Sequence, residues 1–151
     1  SLVLTRQGVP HQPRDAAQIG DIARGGYVLT ESAGDPEAIL IATGSEVALA
    51  VAAAERLAGD GIGARVVSMP CTSVFESQDT EYQDAVLPPG VSARVVVEAG
   101  ATGTWWRHAG SSGRVIGIVR FGMSAPAAAL FEHFGFSVDN VVDTTKSIVT
   151  K

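Results

Sequence analysis

An α/β fold, a three-layer sandwich built on a mostly parallel sheet, is what this sequence predicts, and three observations carry it. Short β-branched runs alternate along the chain with segments of helical periodicity, the order that gives a sheet covered by helices on both faces. Ala38 to Ala42 is a continuous apolar run, as expected of a strand buried on both sides. Proline and glycine punctuate nearly every junction, at Pro36, Gly59, Gly61, Pro70, Pro88, Pro89, Gly90 and Gly135.

The elements follow in order. Residues 2 to 5 form a short apolar strand ending at Arg6. The polar stretch after it, with Pro10, Pro13, Gly20, Gly25 and Gly26, has little periodicity and reads as a linker or functional loop. Tyr27 to Glu31 is a strand, and a turn at Gly34-Asp35-Pro36 leads into the strand 38–42. Joined only by that turn, these two strands are expected to pair antiparallel, as the one exception in the sheet. Thr43-Gly44-Ser45-Glu46 has the spacing of a capping box and opens a helix to about Ala58. Its apolar stripe is Val47, Val51, Ala54 and Ala58, with Glu55 outside and Gly59-Asp60-Gly61 as the stop.

Arg65 to Met69 is the next strand, and residues 72 to 87 are helical but broken near Gln78. Ala93 to Val97 is a strand, Gly103 to Ala109 a short helix, and Arg114 to Val119 another strand. Pro126 starts a helix that Gly135 closes. Ser137 caps a final helix with Val138, Val141, Val142, Ile148 and Val149 on one face, and with Lys146 and Lys151 near its negative end.

The length of 151 residues suits one ordinary domain with a real core. At 46% hydrophobic and 18% charged the chain is globular, not disordered. Its net charge of −5 argues against nucleic acid, which needs a basic face. No apolar run approaches the roughly 20 residues that span a bilayer, so no membrane role is expected. Cys71 is the single cysteine, which excludes an internal disulfide and fits a reducing, cytoplasmic setting. The chain opens on Ser1 directly into an apparent strand, and so reads as a piece of something longer.

Several residues invite a chemical reading. Gly100, Gly103 and the short helix after them have the form of an anion cradle, although such turns more often serve close packing. Thr43-Gly44-Ser45-Glu46 has a similar form, but Glu46 opposes an anion and a capping box already accounts for the residues. His11, His108 and His133 share no motif; His133 reads as surface or interface, and His108, after Trp105-Trp106-Arg107, as interface or core. Cys71 reads as a small buried hydrophobe. Arg6 differs, because it ends a strand just before an irregular loop, where open α/β sheets place ligand-binding residues. Its planar fork suits a phosphate, against the plainer alternative of a surface salt bridge.

The order of short segments resembles one family. Leu4-Thr5-Arg6-Gln7 resembles the segment closing the pyrimidine-binding domain of transketolases, and Gly25-Gly26-Tyr27-Val28-Leu29 the opening of their C-terminal domain. Ile39 to Val47 with its Thr43-Gly44-Ser45-Glu46, Arg65 to Pro70, Phe75 to Pro88, Val97-Glu98-Ala99-Gly100, Ile116-Gly117-Ile118, Arg120-Phe121-Gly122 and Phe134-Gly135-Phe136 are similar in turn. The sequence departs from the family at Val119, commonly Asp, and at Trp106 and His108, commonly His and an aromatic. Thr43 to Glu46 and Arg120 to Gly122 favour transketolase over the β subunit of a 2-oxo-acid dehydrogenase.

The resemblance implies residues 1–7 as the end of a pyrimidine-binding domain, 8–25 as linker and 26–151 as the C-terminal domain. It implies a parent homodimer of the pentose phosphate pathway that transfers a two-carbon ketol unit between sugar phosphates, using thiamine diphosphate and Mg2+ (or Ca2+). It implies that Arg6 contacts the substrate phosphate, that the residues for cofactor, metal and catalysis lie in other domains, and that this domain is structural and dimer-supporting. A stand-alone association or regulatory module is the alternative. Gly59-Asp60-Gly61 copies the opening of the thiamine diphosphate signature, but that site needs an Asn roughly 25 to 30 residues on to complete its oxygen ligands. The single Asn is Asn140, and the triplet follows a helix where the signature ends a strand, so it reads as a helix stop.

Overall fold

The computed structural model describes Thr5 and residues 7–149. The expected first strand and Arg6 lie outside the described residues, as does Lys151. Five strands form one sheet: β1 (Tyr27–Thr30), β2 (Ala38–Ala42), β3 (Ala64–Ser68), β4 (Arg94–Val97) and β5 (Arg114–Ile116), in the order β1-β3-β2-β4-β5. β2, β3, β4 and β5 are parallel, and β1 runs antiparallel on the edge. The α/β sandwich with one antiparallel strand is therefore what forms.

The antiparallel partner differs from the expectation. β1 pairs with β3, matching Tyr27 to Ser68 and Val28 to Val67, and does not touch β2. β2 is buried at every residue and sits between two parallel neighbours, so no edge is left for β1. The connection 31–37 is long enough to step over β3, two strand spacings of about 4.8 Å. Arg65 of β3 pins it, with Nε 2.6 Å from Glu31 Oε1 and Nη2 3.0 Å from Oε2.

The alternation within β2 divides the core. Ala38, Leu40 and Ala42 pack with Val66, Val95 and Val97 under α2 (Val47–Gly59) and α7 (Val138–Lys146). Ile39, Ile41, Val67 and Val96 face the other layer, made of α3 (Thr72–Glu76), α4 (Thr80–Val86) and α5 (Trp106–Ala109). α6 (Ala127–Phe134) leans Phe131 and Phe134 on the first cluster. Among the described residues no helix is long and apolar enough to cross a membrane.

Capping chemistry sets the helix ends. Ser137 Oγ accepts from Asn140 N–H, Gly135 closes α6 at φ +77°, and Gly61 at φ +80° follows the end of α2, all as the sequence predicts. The break near Gln78 is a new cap, Asp79 Oδ1 accepting from Tyr82 N–H at 2.8 Å.

Four local expectations fail for identifiable reasons. The stripe of α2 is Val47, Ala50, Ala53, Ala54 and Leu57, leaving Ala58 exposed, because the helix is wedged against both the sheet and α7. Thr43 makes no side-chain cap; Glu46 turns inward and accepts the Ser45 hydroxyl at 2.5 Å instead. The real capping box joins Asp15 and Gln18 and opens α1 (Ala16–Asp21) inside the stretch read as irregular, a helix too short to show a period. Gln18 Nε2 also donates to Val28 O and Leu29 O, covering β1. β5 stops at Ile116 because the backbone at Gly117 dives toward the β4 loop, where a Cβ would meet Thr102 Cγ2 at 2.5 Å.

Candidate functional site at the carboxyl edge of the sheet

The parallel strands β2, β3, β4 and β5 all end on one edge, and the chain order reverses between β2 and β4. That reversal is where open α/β sheets leave a crevice for ligands. The turns after these strands supply Glu46 from β2, Ser68 and Met69 from β3, Glu98 to Gly103 from β4, and Gly117 to Phe121 from β5. The linker arrives over the same edge, with His11 and Arg14 facing Gly44, Ser45 and Ser68 across a cavity.

Two carboxylates stand at the reversal. Glu46 is buried within the first turn leading into α2. Glu98, immediately after β4, is half-buried, and no described residue donates a hydrogen bond to its carboxylate. Burial raises its pKa from 4.5 to about 6, and repulsion from Glu46 adds to the rise. Neither residue stands out in the sequence as a site. The one signal is positional: each follows a buried strand at the switch point.

The sequence candidates fare differently. The Gly100–Gly103 turn does not make an anion cradle, since a Cβ at Gly100 would lie 2.8 Å from Glu98 Oε1, so a carboxylate already covers it. α5 behind it is only four residues long and is used for packing, with His108 and Ala109 buried. His108 Nε2 lies 3.3 Å from Glu76 Oε1, while Arg107 engages the other oxygen, Oε2, and the His108 nitrogen makes no hydrogen bond. Burial lowers the His108 pKa, and the Glu76 charge only partly offsets this.

Trp105 is core and Trp106 is exposed, so the aromatic pair splits between two environments. His133 lies on the surface beside Arg120, 2.7 Å away, and far in sequence from His11 and His108. Cys71 is exposed, which corrects the buried reading. It is the first residue before α3, its N–H held by Gly25 O, and its thiol sits 3.4 Å from Ser73 Oγ. That hydroxyl lowers the thiol pKa.

Gly59-Asp60-Gly61 is confirmed as a helix stop. Asp60 pairs with Lys146 at 2.8 Å, which holds its carboxyl below the usual range. Asn140 is spent on Gly135 O and the Thr144 hydroxyl. Among the described residues no three His, Cys, Asp or Glu side chains converge as metal ligands. Asp60 and Asn140 are thus engaged in separate contacts and do not converge on a common cation.

Residues 25–137 match the family described as the transketolase-like TK C-terminal domain. The chain belongs to that family. Transketolase 2 of Vibrio parahaemolyticus is 54% identical over 149 residues, 99% of this chain and 22% of that protein. A transketolase variant from Pichia stipitis superposes with a TM-score of 0.84 at 36% identity, covering 95% of this chain and 20% of that one. The Pichia stipitis transketolase in complex with sedoheptulose 7-phosphate gives 0.78 at 37% identity over 87% of this chain and 19% of its own. This transketolase C-terminal domain thus spans about a fifth of the length of the curated relatives it matches.

Proposed function

We propose that this chain is the C-terminal part of a transketolase, an enzyme transferring a two-carbon ketol unit between sugar phosphates. The observation that carries the reading is identity of 54% along 99% of the chain to a transketolase. In this reading residues 1–7 close a pyrimidine-binding domain, 8–25 link, and 26–151 form the C-terminal domain. The parent is a cytoplasmic homodimer using thiamine diphosphate and a divalent cation, and the cofactor supplies the carbanion chemistry when bound. Of this chain's residues only Arg6 is assigned a substrate contact, its guanidinium donating to the substrate phosphate.

The domain's own part is to support assembly. Val119 is 85% exposed, Phe121 97% and Met123 57%, three large apolar side chains on one loop beside β5. Such a cluster is unusual on a free surface and suits burial against another domain or subunit.

The coding sequence upstream of Ser1 decides the assignment. It should carry a Gly-Asp-Gly signature with a downstream Asn; its absence would overturn the reading. In the full enzyme, Arg6→Ala should raise KM for phosphorylated substrates and leave unphosphorylated ones nearly unchanged. Equal losses for both would remove the phosphate role. Calorimetry of the 151-residue chain with thiamine diphosphate and Mg2+ should give no saturable heat, and a fitted isotherm would place the cofactor site here after all.

A further inference from the structure

The carboxyl edge carries a second feature, on the opposite side of the linking turn from Glu98. Between the linker and the start of α2 lies a cavity of about 500 Å3, within the range of small-molecule sites. It lies on the α2 side of the sheet, over the ends of β2 and β3. No Asp or Glu lines it, although the chain carries a net charge of −5.

Three sets of donors converge on this space. The first is the amino end of α2, a 13-residue helix prolonged by the turn Gly44–Glu46, whose leading N–H groups have no intrahelical acceptor. Gly44 takes φ +57° and nothing lies within 4 Å of where its Cβ would be, so the backbone there is open to an incoming group. The second is Ser68, which lines the cavity while only 5% exposed. Its hydroxyl has no protein hydrogen-bond partner among the described residues and is open to the cavity, free to donate to an incoming group. The third is Arg14. Its Nε donates to Tyr27 Oη at 2.6 Å and its Nη1 to Gln12 O at 2.7 Å. Nη2 has no acceptor among the described residues, so the fork is oriented with one arm unused.

Glu46, in the turn leading into this helix, is buried and does not line the cavity. It accepts the Ser45 hydroxyl, and its charge adds to the rise in the Glu98 pKa.

We propose that this cavity binds the phosphate of a small organic phosphate. The phosphate oxygens meet the helix end at Gly44 and Ser45, the Ser68 hydroxyl and the Arg14 guanidinium, and the carbon skeleton lies along Val9, Pro10 and Val47. The proposal stands whether or not the parent is a transketolase. A free phosphate ion shares the same chemistry but fills only part of the space.

The test is an amide-resolved NMR titration of the full chain with inorganic phosphate, ribose 5-phosphate and ribose, with chloride at matched ionic strength as reference. Ribose 5-phosphate should shift Gly44, Ser45 and Ser68 saturably, and ribose and chloride should not. If inorganic phosphate saturates equally well, the phosphate alone is recognised and the source is the free ion. Arg14→Gln should weaken binding by about tenfold, as loss of a charge-assisted contact does. Ser68→Ala should weaken it by a smaller factor, with unchanged shifts elsewhere showing that the fold is kept. Arg14→Gln provides the same test on the surface of the fold if Ser68→Ala does not fold. No saturable shift with either phosphate, or binding indifferent to Arg14→Gln, would overturn the proposal.

Discussion

Replacing Glu98 by Gln should make this domain more stable at neutral pH, although it removes a charged residue and adds no new contact. The reason is thermodynamic linkage. Glu98 ionises with difficulty in the folded chain, at about 6 against 4.5, because it is half-buried, unpaired and close to Glu46. A carboxyl whose pKa rises on folding binds its proton more tightly in the native state. Its contribution is therefore intact below the unfolded value of 4.5 and is lost as pH climbs through about 6. The full shift corresponds to about 2 kcal/mol, and partial solvent access reduces this to about 1 kcal/mol. Gln keeps the shape and cannot ionise. Urea unfolding followed by circular dichroism, at pH 8 and at pH 4.5, should show Glu98→Gln more stable by about 1 kcal/mol at the higher pH, equivalent to roughly 2–4 °C in Tm. At pH 4.5 the two proteins should coincide to within a few tenths of a kcal/mol. A variant less stable than the parent at pH 8 would refute the reasoning, because it would mean the carboxylate has a favourable partner. A difference that does not change with pH would refute it as well.

Other perturbations follow from the same geometry. Gly25 sits at φ +85°, and a Cβ there would land on the Cys71 carbonyl oxygen and 2.5 Å from the Phe75 nitrogen, so Gly25→Ala should cost roughly 3 kcal/mol or more in urea unfolding. A cost below about 1 kcal/mol would show that the α3 junction yields freely. Phe121→Asp should leave the isolated chain's stability within about 0.5 kcal/mol, since the ring is almost wholly exposed, yet weaken the homodimer proposed for the full enzyme in sedimentation. Unchanged dimerisation would remove this loop from the interface. In the isolated chain Cys71 should be alkylated by iodoacetamide without denaturant, with an inflection below the ordinary thiol value because the Ser73 hydroxyl favours the thiolate. Protection that ends only on unfolding would contradict the exposed placement.

The parts of the fold that were legible in the sequence are those where local chemistry decides the outcome. The run Ala38 to Ala42 allows only a strand covered on both faces, and Ser137, Gly61 and Gly135 act through bonds and dihedral angles that no distant contact overrides. The errors begin where two local solutions are equally good. A turn at Gly34-Asp35-Pro36 is compatible with a hairpin and with a step over a neighbour, and only the burial of both edges of β2 decides for the second. Thr43 and Glu46 have the spacing of a capping box, as do Asp15 and Gln18. The second pair forms with Gln18 accepting from Asp15 N–H through Oε1 while its amide donates to β1, whereas Glu46 is buried and bonds Ser45. Likewise Val51 and Ala58 fit a helical stripe as well as Ala50 and Leu57 do, and it is the position of α7 that selects the face.

The site was less legible than the fold because its members are ordinary residues made unusual by where they sit. Glu98 follows a strand of valines, and nothing in Val-Glu-Ala-Gly announces a carboxylate without a donor. Its character arises only when β4 is laid beside β2 and Glu46 comes with it. Ser68 is one more small residue at a strand end until β1 and the stretch 9–14 close over it, and Arg14 is one more basic residue until Tyr27 and Gln12 engage two of its three nitrogens and leave Nη2. These side chains meet on the carboxyl edge because parallel strands all finish there, which the alternation of strands and helices does predict. The sequence therefore specifies the edge on which chemistry will collect. Which residues are left short of partners on that edge depends on strand order and on the path of the linker, and those are settled by packing across the whole sheet.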